Sequence, residues 1–369
     1  MDLLLFILVI GATGGFMSAL MPKRHAVSAE IVTQRVQLRR HRLIIAVSAL
    51  LPALLVGLRA TTVGSDTSGT AYTYFVQYVV QNNALSPELM YTLVAKIGYF
   101  LFGTYNGMLF AVAYVSFFVM FYAIAEYRFS IHTGMAACVY LAFFIAPACN
   151  IVRQIMAVSF CFLSLKYIAS GKAIRYVATI ALAGLCHTSA YLMLMVYVLY
   201  HVILKTKSRL LKLIAIGAAL ISPLYFSAIF EAFIQIPMFS TYSKYLGMMR
   251  TGGLVLYNIK IRYLLYALLL IPLIYALWKR RGAYGVNLFF YYPILEAVGV
   301  ISATYMMWAF RIMYYFTPGY VILIPYVVRR CPKKWRGLYS IAFFAFLLYY
   351  FIVYHYLWGN DAIFPYAIC

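Results

Sequence analysis

Acidic side chains are the scarcest chemistry in this sequence: its 369 residues hold eight Asp and Glu against 30 Lys and Arg, a net charge of +22. So few carboxylates leave little from which to build an oxygen-ligated Mg²⁺ or Mn²⁺ centre. Charge of either sign is thin, at 10% of residues, while 66% are hydrophobic, 18% are aromatic and the mean hydropathy is +0.89. Soluble globular chains are roughly 45–50% apolar, so a soluble fold is excluded. With it goes a nucleic-acid partner as the reason for the positive charge. The cysteines Cys138, Cys149, Cys161, Cys186, Cys331 and Cys369 form no C-x-x-C and no metal spacing. Most sit in apolar runs, where a thiol acts as a small hydrophobe. Low-complexity tracts, linkers and repeats are missing too, so residues 1–369 read as one integral membrane domain.

What is present is an alternation of apolar stretches with basic loops. Six Lys/Arg fall in 23–42, one at Arg128, three in 166–175, four in 205–212, three in 279–281 and five in 329–336, together 22 of the 30. Basic residues collect in short cytoplasmic loops. Placing these clusters inside gives an all-α, polytopic fold of about twelve membrane helices with both termini outside. A crossing needs about 20 apolar residues, and the expected spans are roughly 2–21, 43–58, 105–125, 131–149, 154–169, 174–187, 188–204, 212–232, 261–278, 286–303, 312–328 and 337–357. Residues 59–104 and 233–260 are then the larger extracytoplasmic loops. The first 21 residues lack a basic leader and precede the sequence PKRH, so they read as a span and not as a cleaved signal. Residues 176–204 are too long for one crossing and short for two; parity calls for two.

Eight cations break the inside bias, and they sit among Tyr, Ser and Thr. Arg153 is the only charged side chain in the 37 residues between Arg128 and Lys166. As one straight helix at about 1.5 Å per residue, that stretch would be nearly twice the roughly 30 Å hydrocarbon thickness. It must fold back, with Arg153 at the outer mouth of the hairpin. The segment "GLRATTVGSDTSGTAYTYF" adds Arg59 and Asp66, "LCHTSAYL" adds His187, and "MMWAFRIMYYF" adds Arg311. Lys244, Arg250 and Arg262 follow in and beside the loop 233–260. Each has a structural alternative: a lone Arg at a helix end snorkels to headgroups, His187 serves as a hydrogen-bonded turn histidine, and Asp66 caps a helix or pairs with Arg59. A cation that breaks the topology rule is by default a functional hypothesis.

The order "GLR…VGSDT…Y", "N-x-x-RQ-x-x-A-x-x-F", "CHTSAYL" and "R-x-x-YYF" resembles the EpsG family of bacterial polysaccharide polymerases, akin to Wzy O-antigen and capsule polymerases, over residues from about 43 to 328. Ala60, Ser65 and Thr188 depart from its pattern. The resemblance implies the type C glycosyltransferase-like architecture of polysaccharide polymerases and ligases. It also implies a place in the bacterial cytoplasmic membrane and a substrate, an undecaprenyl-diphosphate-linked oligosaccharide, met in the company of membrane lipids and a chain-length regulator protein. The growing glycan would pass from its lipid diphosphate to a sugar hydroxyl of an incoming lipid-linked unit. Guanidinium forks suit a diphosphate leaving group better than ammonium does, which points to Arg59, Arg153 and Arg311, with Gln154, Arg250, Lys244 and Arg262 as secondary contacts. The acceptor proton needs a base, His187 first and Asp66 second. No cofactor and no metal are expected. An O-antigen ligase-like transferase would use the same groups, and a lipid-linked oligosaccharide flippase would share the span number.

Reporters active only outside the cell test the topology. Fusions after residue 65 or 250 are expected to be on, and fusions after 35, 208 or 333 off. An inverted reading at 208 alone would mean that 176–204 crosses once, which removes His187 from the outer face.

Overall fold

The computed structural model describes residues 2–22, 31–83, 86, 88–201, 208–248, 264–269, 287–303 and 310–369. Helices account for its regular structure, and the only strand-like pairing among the described residues is an isolated bridge between Arg59 and Ile368. The first half contains α1 (Asp2–Ser18), α2 (Ile31–Gly57), α3 (Leu89–Phe102), α4 (Tyr105–Glu126), α5 (Thr133–Phe144), α6 (Val152–Ala169) and α7 (Ala173–Cys186). The second half contains α8 (Arg209–Ile221), α9 (Phe226–Ile234), α10 (Tyr292–Ser302), α11 (Gly319–Arg330) and α12 (Lys333–Tyr350).

Local chemistry sets several of these boundaries. Gly103 takes a left-handed φ of 68° that ends α3, and Thr104 then caps α4 by accepting the Gly107 N–H at 3.0 Å. His132 caps α5 through Nδ1, which accepts the Met135 N–H. Pro223 coincides with a 48° bend between residues 210–219 and 222–234, as expected where a proline removes a backbone donor.

Helix α4 packs along α2, α3 and α6; α6 packs along α7, and α1 along α5. Glycines permit the closest approaches. A Cβ on Gly57 would fall 2.7 Å from the Phe110 Cα, and one on Gly98 would fall 2.6 Å from the Ala111 Cβ. The interior is aromatic as well as aliphatic, with Phe117, Phe121, Tyr140, Phe143, Tyr320 and Tyr326 buried. The exterior is also apolar: Phe100 is 87% exposed, Ile341 69% and Leu210 68%. Helices that are greasy on both faces belong in lipid.

Two described helices, Tyr105–Glu126 and Lys333–Leu357, are each long and apolar enough to cross a bilayer alone. The bent pair within 210–234 makes up to three. Other expected spans appear as shorter apolar helices, among them Asp2–Ser18, Thr133–Phe144 and Ala173–Cys186. Residues 188–204 begin as a 3₁₀ helix, Thr188–Met193, followed by a six-residue helix, Leu194–Leu199. Within 261–278 only 264–269 are described, and 312–328 holds the end of a short helix, Phe310–Met313, before the helix that begins at Gly319. The stretch 59–104, expected as a loop, is largely helical: π-helices Thr67–Ala71 and Phe75–Val80 flank one α turn, and α3 follows.

The bundle has two chemically distinct ends. At one, Lys166 pairs with Glu126 at 3.4 Å, and Thr133 Oγ1 donates to the Met17 carbonyl at 2.6 Å. The C-terminus of α1, the turn from α4 to α5 and the C-terminus of α6 therefore meet there, with Arg128 and Lys166 among them. α5 and α6 thus run in opposite directions, as the fold-back argument requires, and the Pro147–Asn150 turn lies at the far end. The chain termini share that far end: Asp2 Oδ2 accepts the Tyr366 N–H at 3.0 Å, and Tyr366 donates to the Leu55 carbonyl at 2.6 Å.

The close helix crossings give a stability prediction. Gly57→Val and Gly98→Val force side chain into neighbouring backbone or Cβ positions and should each cost about 1–3 kcal/mol. A lower thermal midpoint in detergent checks it, with Gly217→Val, whose Cβ meets no atom within 4 Å, as the control.

Candidate active site

The site is built at the end remote from the basic loops, where the π-helical segment, the N-terminus of α3, the α5–α6 turn, the end of α7 and residues 310–317 converge. Its foundation is Asn150. Asn150 Nδ2 donates to the Asp361 carbonyl at 2.8 Å and to Asp361 Oδ1 at 3.2 Å, while Asn150 Oδ1 accepts from Ser65 Oγ at 3.3 Å and from the Asp66 N–H at 3.4 Å. Gly64 makes this approach feasible. Its φ is +91°, and a Cβ there would fall 2.7 Å from Asn150 Oδ1 and 2.8 Å from Thr67 Oγ1.

Arg59 does not join the open site. Its side chain is fully buried: Nη2 donates to the Cys149 carbonyl at 2.8 Å, Nε to Thr67 Oγ1 at 3.2 Å, and Nη1 to the Val56 carbonyl. The C-terminal segment closes over it, with the Ala60 N–H donating to Ala367 at 2.8 Å and the Cys369 N–H to Leu58 at 3.0 Å. In this structure Arg59, expected as a diphosphate ligand, holds the end of α2 to the α5–α6 turn, because carbonyls left without helical partners capture its donors.

Arg153 and His187 are brought together by a residue that the sequence reading missed, Glu88. Glu88 is 3% exposed, and each carboxylate oxygen has its own partner. Arg153 Nη1 donates to Oε2 at 2.6 Å, and His187 Nδ1 lies 2.5 Å from Oε1. The Arg153 guanidinium also stacks 4.9 Å from the Tyr74 ring centroid, and the Tyr74 hydroxyl lies 2.8 Å from Thr92 Oγ1. Burial by itself would raise the Glu88 carboxyl; the hydrogen bonds and charges of His187 and Arg153 outweigh it and hold the group below its ordinary value. It is a carboxylate at neutral pH. His187 has an extended backbone, φ −161° and ψ 122°, which ends α7 and swings the ring out of line with the helix.

Asp66 and Arg311 form the neighbouring pair, at 3.5 Å, with both side chains about a third exposed. The competing expectation, that Asp66 pairs with Arg59 or caps a helix, is corrected: Asp66 precedes Thr67–Ala71 without a side-chain cap bond. Gln154 ties the two clusters together, its Nε2 donating to the Arg311 carbonyl at 2.6 Å. Ser189 and Tyr315 hydroxyls meet at 2.7 Å across the same gap. The 3₁₀ helix Pro237–Met248 approaches from above, carrying Tyr242 close enough to interact with Ser189, Glu88 and Arg153. Lys244 lies on that helix, whereas Arg250 and Arg262 fall outside the described residues. Among the described residues, no three of His, Cys, Asp and Glu converge as metal ligands would.

Comparison with known families settles the kinship. The EpsG family profile matches residues 42–368. The chain belongs to the EpsG family. The match reaches beyond the motif order noted in the sequence, through α12 to the tail that closes over Arg59. Neither a curated protein nor a solved structure matches the chain at a significant level. EpsG membership and the apolar, all-helical fold together make this a membrane protein with a polysaccharide-polymerase-like role.

Glu88 was missed because a lone acid has no spacing to betray it. One signal was there: it is the only acid between Asp66 and Glu126, and it stands immediately before the apolar run Leu89–Phe102.

The two arginines should separate on mutation. Arg59→Met strands the Cys149 and Val56 carbonyls and should cost on the order of 2–5 kcal/mol, read as lost yield and a lower thermal midpoint. Arg311→Met, at a part-exposed position, should leave both near the unsubstituted protein.

Proposed function

We propose that this EpsG protein polymerises undecaprenyl-diphosphate-linked oligosaccharide repeats on the outer face of the bacterial cytoplasmic membrane. In this reading the chain crosses about twelve times, and the end that carries the site and both termini faces outward. The observation that carries the proposal is the gathering of Arg153, His187, Arg311 and Asp66, far apart in sequence, at the end opposite the basic loops. It is a set of cations beside a base, and glycan transfer from a lipid diphosphate calls for both.

The reaction balances with these groups. An acceptor sugar hydroxyl attacks the anomeric carbon of the donor glycan, forming the new glycosidic C–O bond as the bond to the diphosphate oxygen breaks. The hydroxyl proton passes to His187 Nε2, and undecaprenyl diphosphate departs. Arg153 keeps one edge committed to Glu88, and its remaining N–H groups, with those of Arg311, meet the developing charge on the diphosphate. Lys244, Arg250 and Arg262 are secondary candidates for contacts with the substrate. Asp66 holds Arg311 at the mouth and stands as the alternative base. A chain-length regulator would act on the emerging polymer, and membrane lipids surround the bundle.

Purified protein in detergent, given one lipid-linked repeat unit, should yield a ladder of longer products. Arg153→Lys should lower that yield by about 10²-fold or more with expression intact, because an ammonium cannot reproduce bidentate contacts. A single transfer to lipid A-like or protein acceptors without a ladder would favour a ligase. Transbilayer movement without any transfer would favour a flippase. Near-normal ladders from Arg153→Ala would reduce Arg153 to a structural partner of Glu88.

A further inference from the structure

We propose that Glu88 is a positioning residue that selects the reactive tautomer of His187 and holds Arg153 in register with it. For its activity arm the inference rests on the polymerase reading; the chemistry of the pair does not depend on it.

The geometry is specific. A carboxylate 3% exposed, at the mouth of α3, spends one oxygen on an imidazole and the other on a guanidinium. A neutral imidazole carries one N–H, and the carboxylate at 2.5 Å from Nδ1 claims it. Nε2 is therefore left as the acceptor, the form a general base requires. The ring is part-exposed, at 17%, so a substrate hydroxyl can reach it. The same carboxylate also stabilises the imidazolium that forms when the proton arrives. Arg153 is held by the second oxygen on one side and the Tyr74 ring on the other, so base and cation sit at a fixed separation on either side of Glu88. Glu88 itself is fastened from below: its N–H donates to Ser86 Oγ at 3.1 Å, and its carbonyl accepts from Thr92 Oγ1 at 2.9 Å.

Six other ionisable groups lie near the dyad or act on it: Tyr74, Tyr91, Cys186, Tyr242 and Tyr315 around the carboxylate, with Arg153 as the charged one. The phenols and the thiol are neutral in their ordinary ranges at pH 7. Glu88 and Arg153 are thus the charged members of this cluster, and the Asp66–Arg311 pair is joined to it through Gln154. Replacing Glu88 by Gln removes the anion that touches the ring and leaves Arg153, so the cationic form of the ring loses its counter-ion.

The experiment uses the full-length protein in detergent and reads His187 directly. Diethyl pyrocarbonate modifies neutral imidazole, and peptide mass spectrometry follows modification at His187 against pH. The half-rate point should fall by about one pH unit or more in Glu88→Gln and lie between the two in Glu88→Asp. Where Glu88→Gln does not purify, Glu88→Asp carries the comparison with the same sign. In the ladder assay, Glu88→Gln should lose about 10²–10⁴-fold in kcat, the span of one general base, with KM for the lipid-linked unit changed less than about threefold. Glu88→Asp should restore part of the rate. An unmoved half-rate point in the purified variants would overturn the proposal and leave Glu88 as a structural ion pair. If the unsubstituted protein makes no ladder yet the half-rate point shifts, the polymerase reading fails and the Glu88–His187 assignment stands.

Discussion

The carboxylate of Glu88 is the hinge on which the candidate site turns. An acid buried in so apolar a chain is costly unless both of its oxygens are engaged, and here one takes a cation and the other a titratable ring. Breaking a buried charged pair by removing one partner costs on the order of 3–5 kcal/mol, so the three side chains hold one another in place. They also hold three elements in place, since Arg153 opens α6, His187 ends α7 and Glu88 precedes α3. The same economy governs Arg59, whose donors are spent on carbonyls at helix ends, and Asn150, which joins the Asp66 loop to the C-terminal segment.

This division of labour explains why four polar clusters sit at one end of a chain with so little charge. The opposite end needs only ordinary basic loops and a surface pair between Lys166 and Glu126. On the proposed reading the site end keeps cations and a base together for a lipid-linked substrate, and among the described residues Arg153 and Arg311 are each paired with an acid in advance. Arg311 with Asp66 follows the same rule. A pre-paired arginine is already oriented, which would lessen the ordering cost of binding the proposed diphosphate.

Much of this was legible in the sequence, and the rest was hidden for physical reasons. Helicity, membrane character, the fold-back between Arg128 and Lys166 and the EpsG kinship follow from hydropathy, from the placement of basic residues and from motif order. The meeting of Arg153 with His187, and of Asp66 with Arg311, could be anticipated only as a shared face. The role of Arg59 could not be read, because whether an arginine at a helix end faces substrate or captures carbonyls depends on what folds over it, and here that is the distant tail, residues 360–369. Helix α3, at 14 residues, is shorter than the roughly 20 apolar residues expected of a crossing. Glu88 was concealed by its solitude, since its meaning lies in two partners 65 and 99 residues away.

A structure of the protein bound to a lipid-linked donor tests the account most directly. The account predicts the diphosphate oxygens within about 3 Å of Arg153 and Arg311, the anomeric carbon facing His187 Nε2, and Glu88 still bonded to Nδ1. A diphosphate held at the Glu126–Lys166 end, or a donor whose sugar lies away from His187, would contradict it.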